Sequence, residues 1–284
     1  MVPRGVKGKS TCVAGPVGLE RSEEHGVVVL TIHRPPANAL DNATVMALRR
    51  TLEELARRGN EVKGIVLTGH GDRFFSAGGD VKELEGLTVR GGIARVLAFH
   101  DVISLMERID APVVCAVNGY AVGGGAEFCL FSDYRVAVRS ARFGLPEVNH
   151  GLLPAAKSIR QAVRVMGLRE ARKVLYGGAI MDAEEALRVG FVDDLVDDRV
   201  ELMGKAISWA QSVGSKPRAL TGALKRTMLH TAGSTDTEMK RMTVDDFRRY
   251  FGTPEVREQM RSVLQRWERP RRGNRKGEPP GGTE

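Results

Sequence analysis

The sequence predicts an α/β protein, a parallel sheet wound with helices and followed by a run of helices. Three observations predict it. Short, mostly uncharged, β-branched runs recur at Val27–Ile32, Gly64–Gly69, residues 112–117 and Tyr134–Val138. Helical patterns lie between them on short connections, which argues for parallel pairing by right-handed crossovers. Beyond Pro154 the strand pattern gives way to helix after helix, apart from a short apolar piece at 191–196.

Taken in order, residues 1–22 mix Gly, Pro, Lys and Ser without periodicity and read as a flexible arm. The Val27–Ile32 strand ends at Pro35-Pro36. A helix over 42–58 follows, with Val45, Leu48, Leu52 and Leu55 on one face, and Gly59 stops it. After Gly64–Gly69 comes the turn Phe75-Ser76-Ala77-Gly78-Gly79-Asp80, then a helical stretch from Val81. Gly91-Gly92 predicts a break before a helix over 93–109, whose Ile93, Val96, His100, Ile103 and Met106 lie near one face. The strand over 112–117 closes at Asn118-Gly119. Gly123-Gly124-Gly125 opens a helix reaching Ser132, and Tyr134–Val138 is again a strand. Residues 23–200 form the core and 201–269 a helical region. Thr253-Pro254-Glu255 there is a helix start, a hydroxyl cap followed by proline at the first helical position. The tail, 270–284, is Pro, Gly and charge and reads as disordered. No internal repeat is visible.

With 42% hydrophobic and 27% charged residues the chain reads as a soluble globular protein, long enough for one large core. No apolar run suggests a membrane span, and the N-terminus lacks the apolar segment of a secretory signal. Cys12, Cys115 and Cys129 are odd in number and widely spaced, without a disulfide or metal-ligand pattern. A cytoplasmic setting is the expectation. The net charge of +8 comes partly from the two ends, and the body keeps a modest positive balance suited to an anionic partner.

The chemistry-bearing residues are two glutamates near glycine-rich turns. Glu127 ends Gly123-Gly124-Gly125-Ala126-Glu127, and Glu147 lies in Gly144-Leu145-Pro146-Glu147. Glycine lets a ligand approach bare backbone. A helix start offers N–H groups without intrahelical partners, and the helix dipole adds positive charge there. Two such donors on one carbonyl oxygen would stabilise an enolate or a tetrahedral anion. Apolar neighbours should raise the pKa of Glu127 and ready it for proton transfer. Either glycine run alone reads first as a tight structural turn, and Glu147 alone as a surface or capping acid. His150 reads as structural rather than catalytic, and His100 as a packed or pocket-lining residue. Asp80 has no histidine near it in sequence, so Ser76 is a poor nucleophile candidate. The glycine run lacks the dinucleotide-binding spacing.

Asn38-Ala39-Leu40, the run from Phe75 to Leu84, and the run from Asn118 to Glu127 resemble the crotonase superfamily, whose type member is enoyl-CoA hydratase. The resemblance extends over residues 26–269. It implies a crotonase-like ββα spiral core, a C-terminal helical trimerisation region, and a homotrimer or dimer of trimers. It places the oxyanion-hole donors at Gly79 and Gly124 and the two hydratase glutamates at Glu127 and Glu147. Ala77, Gly78, Asp80, Lys82 and Leu84 fall in its substrate- and CoA-binding segment, with Leu87, Phe99 and His100 as further acyl-pocket candidates. The implied substrate is a 2-enoyl-CoA thioester. The implied reaction is syn addition of water, with no cofactor beyond the coenzyme A of the substrate and no metal. Isomerisation or thioester hydrolysis on the same scaffold are the alternatives.

One segment departs from the family pattern. Pro154-Ala155-Ala156-Lys157-Ser158 stands where the family carries a glycine-rich run after the second glutamate, which would crowd the turn or bring a cation toward the pocket. With the polar pair Asn149-His150, it points to a specialised acyl group rather than a plain fatty chain. The superfamily also has an RNA-binding branch, and Arg271, Arg272, Arg275 and Lys276 could meet phosphates. No aromatic residue follows Trp267 to stack on bases, so nucleic acid is not the expected partner.

Overall fold

The computed structural model describes residues 18–230, 235–251 and 253–268. The chain divides into two compact units, one ending at Gly233 and one beginning at Ser234. None of its described helices is long and apolar enough to cross a membrane.

The first unit is built on two sheets. Strands β1 (Leu19–Glu24), β2 (Val27–Ile32), β3 (Gly64–Gly69), β5 (Val113–Val117), β7 (Tyr134–Val138) and β10 (Asp194–Val196) make a six-stranded sheet in that order. All its pairings are parallel except β1 with β2. The β3 and β5 strands are buried throughout, which explains their unbroken apolar sequence. The second sheet was not foreseen from sequence. It orders β4 (Phe74–Ser76), β6 (Tyr120–Val122), β8 (Arg142–Gly144) and β9 (Ile180–Asp182), with the first three parallel. Strands of three residues are too short to show alternation.

Helices complete the winding. α1 (Asn42–Arg57) follows β2, while α2 (Val81–Glu85) and α3 (Val89–Arg108) follow β4. α4 (Gly124–Leu130) follows β6, and α5 (Ala156–Leu175) follows β8 and a 3-10 turn over Pro146–His150. A long strand, a short strand and then a helix thus recur three times. This is the ββα repeat that the resemblance implied and the sequence concealed. α6 (Ala183–Arg188), α7 (Arg199–Gly214) and α8 (Arg218–His230) close the unit.

Three expectations are corrected. The arm expected over 1–22 gives way to strand at Leu19, and residues 1–17 lie outside the described residues. The strand LERSEE is charged because it forms the edge of the sheet. It joins β2 through His25 and Gly26, both at positive φ, the backbone a tight hairpin demands. The boundary at 200 falls inside the first unit, because α7 packs on β3, β5 and β7. That contact needs a bare strand backbone: a Cβ on Gly64 would lie 2.7 Å from Ala210 Cβ. Gly91-Gly92 does not break a helix either. Both glycines lie in the first turn of α3, where the Thr88 hydroxyl accepts from the Gly91 N–H at 3.2 Å and the Thr88 carbonyl accepts from the Gly92 N–H at 2.8 Å.

The buried face of α3 differs as well. Arg95, Phe99, Val102, Ile103 and Met106 face inward, whereas Ile93, Val96 and His100 are exposed. His100 is therefore not a core residue. The second unit holds α9 (Asp236–Tyr250) and α10 (Pro254–Glu268). Thr235 and Glu238 form a reciprocal capping box at the start of α9, and Phe247 stacks on Phe251 with ring centroids 4.2 Å apart. The basic tail lies outside the described residues.

Two buried asparagines from the family motifs fasten the sheets together. Asn118 Oδ1 accepts from the Gly69 N–H at 2.9 Å, and its Nδ2 donates to Gly71 O at 2.6 Å and Phe74 O at 3.2 Å. Asn38, held at φ 52°, donates to His70 O at 3.0 Å and Phe74 O at 2.8 Å. Asn118→Ala leaves several of these buried groups unpaired and should destabilise the protein by about 2–4 kcal/mol, read from urea unfolding.

Candidate active site

The second sheet positions the site. Its three parallel strands end side by side, and each runs directly into one of the predicted segments. β4 leads to Ala77-Gly78-Gly79, β6 to Gly123-Gly124, and β8 to Leu145-Pro146-Glu147. Val122 pairs with Gly144, so the last two segments leave in register.

Gly78 lets the first two segments meet. It sits at φ +83°, and a Cβ there would lie 2.8 Å from Val122 O and 3.1 Å from the Gly124 nitrogen. The next residue, Gly79, forms a bridge with Leu40, using Leu40 N to Gly78 O at 2.7 Å and Asp80 N to Leu40 O at 3.3 Å. This pattern skips the Gly79 N–H. The Gly124 N–H opens α4 and is skipped likewise. Among the described residues neither group donates to a protein acceptor. Gly124 is also tightly walled, since a Cβ there would lie 3.0 Å from Leu40 Cδ1 and 3.2 Å from Phe99 Cε2.

Both predicted glutamates face the same space. A cavity of about 250 Å³ is bounded by Gly79, Gly124, Glu127 and Glu147. Leu40, Leu84, Val96, Phe99 and Leu153 supply much of its apolar wall. Glu127 is 5% exposed, one turn into α4, and its Oε2 accepts from the Ala155 N–H at 3.1 Å. Burial, the largest cause, raises its pKa from 4.5 to about 7. The nearby Ser158 hydroxyl opposes that rise, although it lacks full hydrogen-bond geometry. The Glu147 charge adds to it, while the Ala155 N–H and Arg95 oppose it. Glu147 Oε1 lies over Gly123, 3.2 Å from where a Cβ would sit, and its Oε2 is buried without a partner. Burial raises its pKa too, against its own backbone N–H and His150.

The remaining predicted residues divide. Ala77 and Leu84 are cavity walls. Gly78 acts as the spacer just described. Asp80 is not a wall: it caps α2 by accepting from Lys82 N at 3.1 Å, and the Arg34 guanidinium holds its carboxyl below the usual range. Lys82 is exposed on α2 and is not a wall either, and Leu87 borders a neighbouring depression instead. His150 lies at the wall but is exposed, with Nδ1 3.2 Å from Pro146 O.

The departing segment is accommodated. Lys157 turns away from the cavity, pairs with Glu107 and donates to Ser104 Oγ at 3.0 Å, tying α5 to α3. No cation from this residue enters the pocket. The cation that does line it is Arg95, which the sequence reading missed. An arginine on the inner face of α3 was the available signal.

Away from the cavity, Glu20, His33 and His70 bring one carboxylate oxygen and two ring nitrogens within 4.8 Å of one another. His33 Nδ1 contacts Glu20, and the two rings stack 3.7 Å apart at 16°. Nearly parallel rings direct their lone pairs alongside each other rather than toward one ion, so this cluster is a poor metal cage as it stands.

The Glu127 shift has a sign. The native carboxyl keeps its proton to about pH 7, whereas the unfolded chain releases it near 4.5. The native state binds more protons across that window, so stability falls as pH rises through it. Glu127→Gln removes this slope and should gain about 3 kcal/mol relative to wild type between pH 4.5 and 7. Urea unfolding at each pH measures the difference, and parallel curves would show that burial does not hold the proton.

The family model for enoyl-CoA hydratase/isomerase matches residues 22–270. A probable enoyl-CoA hydratase of Mycobacterium avium is 35% identical over 208 residues, covering 72% of this chain and 78% of the relative. The short-chain-enoyl-CoA hydratase of Clostridium acetobutylicum is 34% identical over 194 residues, covering 68% and 74%. Among solved structures, DspI of Pseudomonas aeruginosa superimposes with a TM-score of 0.84 at 28% identity, covering 91% of this chain and 98% of that one. The enoyl-CoA hydratase of Bacillus anthracis gives 0.82 at 25% identity, covering 88% and 96%. A match across nearly the whole described chain, on the same winding of strands, makes this protein a member of the enoyl-CoA hydratase/isomerase family of the crotonase superfamily.

Proposed function

We propose that this protein is an enoyl-CoA hydratase that adds water syn across the double bond of a 2-enoyl-CoA thioester. One observation carries the reading: a buried and a half-buried carboxylate, both with raised pKa values, face two unpaired backbone N–H groups across a single cavity. The thioester carbonyl oxygen takes the Gly79 and Gly124 N–H groups. Their hydrogen bonds strengthen as the oxygen becomes an enolate, which is the charge the transition state develops.

Position supports a division of the proton work. Glu147 lies over Gly123, beside the Gly124 donor, which suits proton delivery to C2, and Glu127 lies one turn further along α4 beside Ala155, which leaves it the water at C3. In this reading Glu127 takes a proton from water as its oxygen bonds to C3, and Glu147 gives its proton to C2. The pair holds one proton before and after addition. Its ionised member must act as base and its protonated member as acid. Both glutamates that the resemblance assigns to hydration are retained, which favours hydration over isomerisation or thioester hydrolysis.

We also propose a homotrimer or a dimer of trimers. Leu224 is 62% exposed, and Met239, Val244 and Phe247 are exposed on α9, as expected of helices covered by a neighbouring copy. Light scattering should give three or six times the chain mass, and a monomer would refute this.

The activity test is loss of enoyl absorbance from crotonyl-CoA, with a product heavier by one water. Glu127→Gln and Glu147→Gln should each lower kcat by about 10²–10⁴-fold with a smaller change in KM. Because the pair works with one proton, kcat/KM should be bell-shaped. The acid limb should fall near 7, where Glu127 gives up its proton to act as base, and the alkaline limb should mark loss of the proton that Glu147 donates. A thioester consumed with release of free CoA, or isomerised without gain of water, would overturn the hydratase reading.

A further inference from the structure

We infer that the acyl end of the cavity is a carboxylate-binding subsite centred on Arg95, so that the preferred thioester carries a second, distal carboxylate. This rests on the cavity being the acyl-CoA site, and it names the class of acyl group.

Arg95 is 8% exposed and lines the cavity that holds Glu127 and Glu147. It is the one arginine or lysine in that wall among the described residues. Its guanidinium is under-paired for a buried cation. One Nη donates to Leu40 O at 2.7 Å, whereas Nε is buried without a partner. The nearest carboxylate, Glu83, lies 4.0 Å away and already accepts from the Asn42 N–H at 2.9 Å. Nε is closed off toward Glu83, so a carboxylate arriving in the cavity would pair with the guanidinium edge that remains open, a charge-assisted contact that offsets the cost of burying the cation.

The placement suits a short chain. Phe99 packs against Gly124, one of the two oxyanion donors. Arg95 precedes Phe99 by one helical turn, with its guanidinium carbon 6.0 Å from the Phe99 ring centroid. A thioester held on Gly124 and extending along Phe99 therefore reaches Arg95 within a few carbons. The walls between are apolar, including Leu84 and Val96, and give a neutral chain nothing that would use the charge. Lys157, which might have supplied a competing cation, is neutralised by Glu107.

Binding to full-length protein of two saturated thioesters, glutaryl-CoA and pentanoyl-CoA, tests the inference without requiring turnover. Calorimetry on wild type should show glutaryl-CoA bound about tenfold more tightly, and Arg95→Met should lower that ratio about 10- to 100-fold. Arg95→Lys, which keeps the cation, should retain part of the preference and guards against misfolding of the first variant. No preference in wild type, or an unchanged ratio in both variants, would overturn the subsite. Equal weakening of both thioesters would also overturn it, making Arg95 a brace for the Leu40 loop or a contact for coenzyme A phosphate. Should crotonyl-CoA and glutaconyl-CoA both go unhydrated while the glutaryl preference holds, the hydratase reading fails and the subsite stands.

Discussion

The site depends on two backbones meeting where a side chain would keep them apart. Gly78 lies so close to Val122 and Gly124 that a single Cβ would collide with the carbonyl of one and crowd the nitrogen of the other. That contact sets the Gly79 N–H and the Gly124 N–H at the edge of one cavity. The neighbouring Gly78, Asp80 and Gly123 N–H groups are already paired, which leaves the Gly79 and Gly124 N–H groups available to a ligand. A pair of fixed donors costs little reorganisation when negative charge develops between them.

The paired sheets make this contact reproducible. The six-stranded sheet carries most of the core, whereas the three-residue strands carry the chemistry by delivering three loops from adjacent ends. Asn38 and Asn118 both donate to Phe74 O, tying the start of the short sheet to the ends of the long strands. Burial does the remaining work. It lifts the Glu127 carboxyl to about 7, while the Ala155 N–H keeps the ionised form accessible. Stability is lost so that the group can change state near neutrality.

The same economy bears on the acyl pocket. Lys157 lies in the segment where the resemblance led to an expectation of glycine, yet its charge is spent on Glu107 and Ser104 in fixing α5 to α3. The charge that reaches the pocket comes from Arg95 on α3. The polarity expected from the departing segment is present, but on a different residue and from a different element.

The sequence alone determined the apolar long strands, since Gly64–Gly69 and most of Tyr134–Val138 can be read without context. It also determined the two glycine turns and both glutamates, because family motifs are local strings and their residue types are dictated by backbone chemistry. Tertiary structure alone decided the short sheet, whose strands carry no periodicity, and with it the ββα repeat. It placed β1 inside the region read as an arm, because a charged edge strand resembles a linker. It turned His100 outward and Arg95 inward on one helix, a choice made by packing against α1 rather than by composition. Covalent order specifies which groups are present. Which of them share a cavity, and which charges are already neutralised before a ligand arrives, follows only from long-range contacts.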